Sequence, residues 1–476
     1  WGGKYGELFR TKAGTTDFIW LNSKEAVKEL FDRRSAIYSS RQPMPMAFDC
    51  ATGGKRITFA PYGKTWRDCR AIFHKASLFQ LIETLHYSVI QMFEAKQLSV
   101  DLLDKPEDFY MHNRRYAASV IMQVTYGWRI PQWNCSEITR IFEVLGRFVQ
   151  CRKPGQWLVD VFPSLAKSQI FNLFSNWKRI GRAFHAADDE TWMGFWNEMK
   201  EKVEQGIAPH CFGKILQNNY EKQGLSESQA AWICGGLIEA GSETTSATLN
   251  NCLYLILSNP DCIALAHEEL DRVVGLNRTP DFDDEMNLPI IRGVIKETLR
   301  MRPINKFGNN HFNTEDDWYN GFFIPKGSIV MANWWSIHYD PKYYYNPDKF
   351  LPERWRDYPH SAAKAAALPD AAQRDHFTYG GGRRICAGIH LAEKSLFINV
   401  ARILWGFDIG LAKDESGRKI ELDFSTESLQ PGSSSVTKPF RCEIRPRSEH
   451  HAKVMREEWR VAREKGIDFS HIRWTV

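Results

Sequence analysis

The sequence predicts a mainly α-helical protein carrying small β-sheets, and three observations predict it. Helical apolar spacing dominates residues 65–259, broken only by Pro- and Gly-rich points near Pro154 and Gly155 and again at residues 206–209. Strand-like alternation with turn chemistry is confined to short stretches, residues 8–21, 322–331 and 422–444. No long Gly/Ser or Pro-rich linker and no internal repeat divides the 476 residues, so a single domain spanning 1–476 is expected.

In chain order, residues 8–21 alternate in character around Gly14 and read as a β-hairpin. Ser23 opens a helix in which Ala26, Val27, Leu30 and Phe31 recur at helical spacing to about Arg34. Residues 43–61 are punctuated by Pro and Gly and predict a long loop before the next helix. Two apolar runs joined by Pro325-Lys326-Gly327 predict a second hairpin over residues 322–331. The Ala-rich residues 361–372 read as a surface excursion, and residues 422–444 as a turn-rich strand pair. Residues 449–476 are charged, with Val454, Trp459, Val461 and Ala462 on one stripe, which predicts a helix packed on the body.

Composition narrows the function. A hydrophobic fraction of 43% and an aromatic fraction of 13% leave material for a large core with room for a bound group. The net charge of +5 comes from 62 basic and 57 acidic residues, with no dense Lys/Arg run interleaved with aromatics, so no nucleic-acid partner is expected. Ten cysteines without paired metal spacings point to a reducing compartment and away from zinc. No apolar run is long enough to cross a bilayer, and the chain opens at Trp1 without a signal-peptide pattern.

The chemistry concentrates at Cys386, within His376-Phe377-Thr378-Tyr379-Gly380-Gly381-Gly382-Arg383-Arg384-Ile385-Cys386-Ala387-Gly388. Three consecutive glycines let the backbone approach a flat, bulky group, two arginines offer charge to acidic groups, and a thiolate follows. Thiolate ligation of haem iron favours cleavage of the oxygen–oxygen bond, so oxygen activation is the implied chemistry. Three other segments stand out. Glu297 and Arg300 lie three apart on one helix face, within pairing reach, and Arg354 follows in Pro352-Glu353-Arg354-Trp355. Trp66 and Arg70, four apart, share a helix face. Ala240-Gly241-Ser242-Glu243-Thr244-Thr245 sets an acid and two β-branched hydroxyl residues inside an apolar helical run, a local conflict that points to function.

These four motifs, in this order and spread over nearly the whole chain, resemble those of the cytochrome P450 family. Tyr379, Gly382, Arg384, Cys386 and Gly388 fill the offsets of its haem loop, with Tyr379 where phenylalanine is usual and Ala387 where proline is frequent. The resemblance implies a triangular helical prism around a buried haem b (iron protoporphyrin IX) with Cys386 as iron ligand. It implies a brace of Glu297, Arg300 and Arg354 behind the loop, with Trp355, in place of the usual phenylalanine, changing packing only. Trp66 and Arg70, helped by His74 or Arg67, would meet one haem carboxylate and Arg384 the other, since buried carboxylates need cations. Gly241 would give room for dioxygen, Thr244 would hydrogen-bond it and Glu243 would relay protons. Arg67 and Lys75 are expected on a surface that docks an acidic electron donor.

The substrate is less legible. Asn305, Lys306, Asn309 and Asn310 are polar where many relatives are apolar, so either they bind a polar substrate group or they face water or a haem carboxylate. The turn Ser433-Ser434-Ser435-Val436 is a second candidate wall. Residues 153–160 and 204–206 look most like microsomal members from filamentous fungi that act in secondary metabolism. The resemblance therefore implies a monomeric monooxygenase on the cytosolic face of the endoplasmic reticulum membrane, held by an anchor helix and hinge preceding the segment 1–6. Without a nicotinamide or flavin fingerprint, NADPH electrons would come through a separate flavoprotein reductase. A small organic molecule would be hydroxylated, demethylated or oxidatively coupled. Two alternatives stand beside this: a haem-thiolate isomerase or dehydratase, which would not need Glu243 and Thr244, and a haem-based sensor, which would need neither that pair nor a roofed pocket.

Overall fold

The computed structural model of the chain describes residues 2–75, 86–153, 155–432 and 434–467, the side chains of residues 74, 75 and 86 excepted. Its longer helices are α1 (Lys64–Lys75), α2 (His86–Asp104), α3 (Phe109–Tyr126), α4 (Ser136–Arg152), α5 (Trp177–Glu204), α6 (Glu227–Ile256), α7 (Pro260–Val273), α8 (Pro289–Met301), α9 (Ile389–Gly406) and α10 (Glu449–Lys465). The central one is α6. Ser226 and Gln229 close a capping box at its start, each side chain accepting from the other's backbone N–H. The helix then runs unbroken for 30 residues along α3 and against α5, α8 and α9. One apolar cluster links α2, α3, α6, α8 and α9, which is why α6 is apolar on nearly every side.

The hydroxyl residues of α6 do not break it. Ser242, Thr244 and Thr248 donate to the carbonyls four residues back, at 2.7, 2.7 and 2.9 Å. This back-bonding satisfies the hydroxyl donor within the helix, so the local conflict is absorbed without loss of a backbone bond.

The first hairpin forms as predicted, β1 (Leu8–Ala13) against β2 (Thr16–Leu21) around Gly14. Residues 322–331 do not form the second. Among β3 (His311–Phe312), β4 (Asp317–Tyr319), β5 (Phe322–Ile324) and β6 (Ile329–Ala332), β5 pairs with β4, while β6 lies parallel to β2 and antiparallel to β3. Two causes separate the runs. The Asn313 side chain accepts from Ser328 N–H and donates to the Pro325 carbonyl, so it occupies the inside of the turn. Ile329 and Val330 are buried and need strands on both sides, whereas Phe322 and Phe323 are exposed. Of residues 422–444 only the end becomes a regular strand: β8 (Cys442–Pro446) pairs with β7 (Phe407–Leu411). The remainder contributes only isolated bridges among the described residues, Leu429 with Thr437 and Ser434 with Asn305.

The helix opened by Ser23 changes from α to π turns over Lys28–Arg33. The long loop 43–61 holds a π turn at Pro45–Cys50 and packs Met46, Ala47, Ala51 and Phe59 on Cys151, Val159 and Trp177. It thereby covers the end of α4 and the start of α5. The Ala-rich segment is a correction: Ala362–Ala367 is a short helix whose Ala362 and Ala365 are buried beside α9. At the C-terminus α10 packs on α2 through Trp459 and Phe93, with ring centroids 5.2 Å apart. The predicted continuation beyond residue 467 lies outside the described residues.

Candidate functional site

The predicted brace assembles around Glu297, whose carboxylate is fully buried. Its Oε1 accepts from Arg300 Nη2, Arg354 Nε and Leu351 N at 2.7, 3.0 and 3.1 Å. Its Oε2 accepts from Arg300 Nε and Trp355 Nε1, both at 2.9 Å. Trp355 is therefore more than a packing change: its indole N–H, absent from phenylalanine, is one more donor to the brace. Burying a charge without partners is costly, so five donors on one carboxylate account for its place in the core.

The brace reaches the cysteine loop through His338. Arg300 Nη1 donates to the His338 carbonyl at 2.7 Å, and His338 Nε2 accepts from Phe377 N–H at 2.8 Å. An accepting Nε2 requires the proton on Nδ1, which donates to the Arg300 carbonyl at 2.9 Å. Burial holds the imidazole pKa well below its usual value, in keeping with this neutral tautomer. Thr378 Oγ1 adds a bond to the Leu299 carbonyl at 2.6 Å. Nothing in the sequence singled out His338, because its partners lie 38 residues before it and 39 after it.

Within the loop, Cys386 N–H donates to the Tyr379 carbonyl at 2.8 Å and Gly380 N–H to Phe377 at 2.8 Å. Gly382 has φ +61° and its N–H donates to Asp32 Oδ1 at 2.7 Å. A Cβ there would lie 1.9 Å from the Phe31 carbonyl oxygen. The glycine expected to bind the cofactor thus seats the loop on the π turn, and the close approach it permits is to protein. Gly241 also packs closely, since a Cβ there would stand 2.5 Å from Ile121 of α3. Tyr379 turns its hydroxyl into protein, where it finds no hydrogen-bond partner among the described residues.

Beside the loop lie three guanidiniums with no carboxylate partner among the described residues. Arg70 Nη2 donates to the Ile385 carbonyl at 2.6 Å, and Arg384 donates to the Ser39 and Ala60 carbonyls at 2.8 and 2.7 Å. Arg41 donates to the Thr58, Asn309 and Asn310 carbonyls. Trp66 lies beneath Arg384, 4.2 Å from its ring centroid. Burial, then Arg41 and Arg70, depress Arg384 to about 8, and burial, then Arg152, depresses Arg41 to about 9. Clustered, desolvated cations of this kind fit an acidic group. The predicted Trp66, Arg70 and Arg384 are brought together. Arg41 and the neighbouring His311, stacked on Phe31 at 3.8 Å, were missed, because a lone cation in a loop carries no spacing signal.

The Cys386 side chain is accessible, yet burial raises its thiol pKa, with the Gly388 backbone bond and Arg70 opposing. Both hold for a sulfur facing an internal space walled by protein. On α6, Ala240 and Thr244 are likewise exposed in a helix otherwise largely buried. Burial raises the Glu243 pKa, and Arg114 of α3 opposes the rise. An accessible sulfur beside an uncompensated arginine cluster fits a haem: a thiolate for iron and cations for its two carboxylates.

The two candidate substrate walls meet. Asn305 and Ser434 form a β-bridge, and Ser435 N–H donates to the Ile304 carbonyl at 3.0 Å. The Lys306 ammonium turns to the Gly432 carbonyl and the Trp335 ring, 5.7 Å from its centroid. Asn309 holds Arg41 through its carbonyl, and its buried side-chain Oδ1 has no partner among the described residues. Arg67 is exposed over Tyr62, which also bonds the exposed Arg383. His74, Lys75 and Ser433 fall outside what is described.

A family model described as cytochrome P450 matches residues 2–434. The cytochrome P450 monooxygenase verL of Clonostachys rogersoniana is 42% identical, over 98% of this chain and 86% of that protein. The cytochrome P450 monooxygenase pgmC of Aspergillus terreus is 37% identical, over 98% of this chain and 85% of that protein. A zebrafish cytochrome P450 solved with progesterone superposes with a TM-score of 0.73 at 23% identity, covering 94% of this chain and 97% of that one, a likeness of fold.

Proposed function

The chain belongs to the cytochrome P450 family and is a haem-thiolate monooxygenase, and from that premise we propose that Cys386 ligates the haem iron, that Arg41, Arg70 and Arg384 hold the haem carboxylates, and that Thr244 and Glu243 manage protons. The observation that carries this is the accessible sulfur of Cys386 beside an arginine cluster with no carboxylate of its own. Haem bound there supplies reductive activation of dioxygen with electrons from a reductase. The protein's part is positioning and proton handling. The five-donor brace and His338 hold the loop that carries the sulfur, and Trp66 orients Arg384.

Thr244, exposed on α6, donates its hydroxyl proton to the Ala240 carbonyl. To pass a proton outward it breaks that one bond and takes a replacement proton. Glu243, whose pKa burial raises, is the adjacent acid suited to supply it. The substrate is a small organic molecule, and we assign it to fungal secondary metabolism, in keeping with fungal relatives at 42% and 37% identity. Asn305, Asn309 and Ser434 line its pocket. Arg67 and Arg383 form the face for an NADPH-dependent flavoprotein reductase.

The catalytic unit rests on the cytosolic face of the endoplasmic reticulum membrane. Ile170, Leu173 and Phe174 are 74%, 78% and 84% exposed and form an apolar patch, which supports membrane contact. No helix among the described residues is long and apolar enough to cross a membrane. The test of the central assignment is the reduced, carbon-monoxide-bound spectrum. The wild type is expected to show the red-shifted Soret band of thiolate ligation and Cys386→His to lose it; a histidine-type band in the wild type would overturn the assignment.

A further inference from the structure

The turn at residues 58–60 carries three arginines in succession. The Thr58 carbonyl accepts from Arg41, the Ala60 carbonyl accepts from Arg384, and between them the Phe59 ring lies under Arg152, 5.5 Å from its centroid. Arg152, the last residue of α4, also stands 5.3 Å from the centroid of Phe148, which is stacked on Phe59. Two of the three arginines are satisfied by carbonyls. Arg152 alone has neither a hydrogen bond nor an ion pair among the described residues, only the two aromatic faces. A guanidinium held only by ring contacts keeps its N–H donors unused, and their fork geometry matches a carboxylate.

The nearby carboxylates are taken. Arg56 binds Glu239 at 2.6 Å and Asp188 at 3.3 Å, and Arg147 binds Asp188 at 2.6 Å. Asp160 accepts from the backbone N–H groups of Met46 and Ala47. Burial lowers the Arg152 pKa and Arg56 adds to the effect, which places the cation among protein rather than in open solvent. Arg41, Arg70 and Arg384 already suffice for the two haem carboxylates, so one cation is left over.

We propose that Arg152 binds an acidic group of the substrate, so that this enzyme takes organic carboxylates. The proposal rests on the monooxygenase reading and adds the class of substrate to it.

Its test uses the holoenzyme with two probe pairs, biphenyl-4-carboxylic acid and lauric acid, each beside its methyl ester. Affinities are read by the Soret spin-state shift and, independently of haem, by equilibrium dialysis. The wild type is expected to bind at least one acid about tenfold or more tighter than its ester, as one charge-assisted contact warrants. Arg152→Gln is expected to bring that acid and its ester within about twofold, with Arg152→Lys keeping part of the preference. A wild type without acid preference in either pair, or a glutamine variant that keeps the preference, overturns the proposal. The reduced carbon-monoxide spectrum and haem content of every sample keep it separate from the monooxygenase reading. If Arg152→Gln loses haem while retaining thermal stability of the apoprotein, Arg152 serves the cofactor and the proposal fails.

Discussion

Replacing Trp355 by phenylalanine removes one N–H from the brace and leaves a ring in place, so it separates hydrogen bonding from packing. Glu297 Oε2 has two donors, Arg300 Nε and Trp355 Nε1, and the change leaves it with one. A hydrogen bond to a buried charge contributes about 1.5–3 kcal/mol, and the smaller ring adds a modest cavity cost. At about 2.1 cal/mol/K per residue, unfolding of the 476-residue chain as one unit would lower Tm by roughly 2–3 °C. The decisive measurement is a double-mutant cycle with Glu297→Gln, using equilibrium urea unfolding of the holoprotein followed by circular dichroism. If Trp355 acts through the carboxylate, the two changes couple by about 1 kcal/mol or more. Additivity within about 0.3 kcal/mol would refute the reasoning and return Trp355 to a packing role.

Arg384→Gln removes a cation from the cofactor cluster, and haem affinity, measured by transfer to apomyoglobin, should fall about 10–100-fold. Thr244→Ala should leave haem ligation intact while diverting NADPH electrons to hydrogen peroxide, with product per NADPH falling about tenfold or more. Glu393, half-buried and accepting from Ala362 N–H at 2.6 Å, is pushed up by desolvation to about 7. Since its folded pKa exceeds the ordinary 4.5, the folded state favours the proton, and the wild type loses up to about 3 kcal/mol as pH rises from about 4.5 to 7. Glu393→Gln should escape that loss, so its stability advantage over the wild type should grow across this window; a difference independent of pH would count against the shifted carboxyl.

The parts of the site that were legible in the sequence are those whose chemistry repeats at short range. Cys386, Arg384 and Tyr379 share one loop, Glu297 and Arg300 one helix turn, and Trp66 and Arg70 another, so spacing alone places each pair on one face. Gly382 and Gly241 were recognised as special positions, and the fold adds a protein neighbour to each. A glycine reports that something comes close, and only the fold shows whether it is a ligand, the Phe31 carbonyl or Ile121. The apolar runs of residues 322–331 mark strands correctly, yet pairing depends on which strand finds a buried partner.

By itself the sequence determined the helical class, the cysteine loop and the brace pair, and it marked Glu243 and Thr244 as candidates, because each is a local pattern with a short-range physical cause. The tertiary structure decided what depends on distant segments meeting. It brought Trp355 to Glu297 across 58 residues and His338 between brace and loop. It drew Arg41 and Arg384 to one strip of backbone and left Arg152 beside them without a carboxylate partner among the described residues. Whether a buried charge is paired is a property of the whole packed interior, since the same arginine is inert beside a carboxylate and a binding group without one.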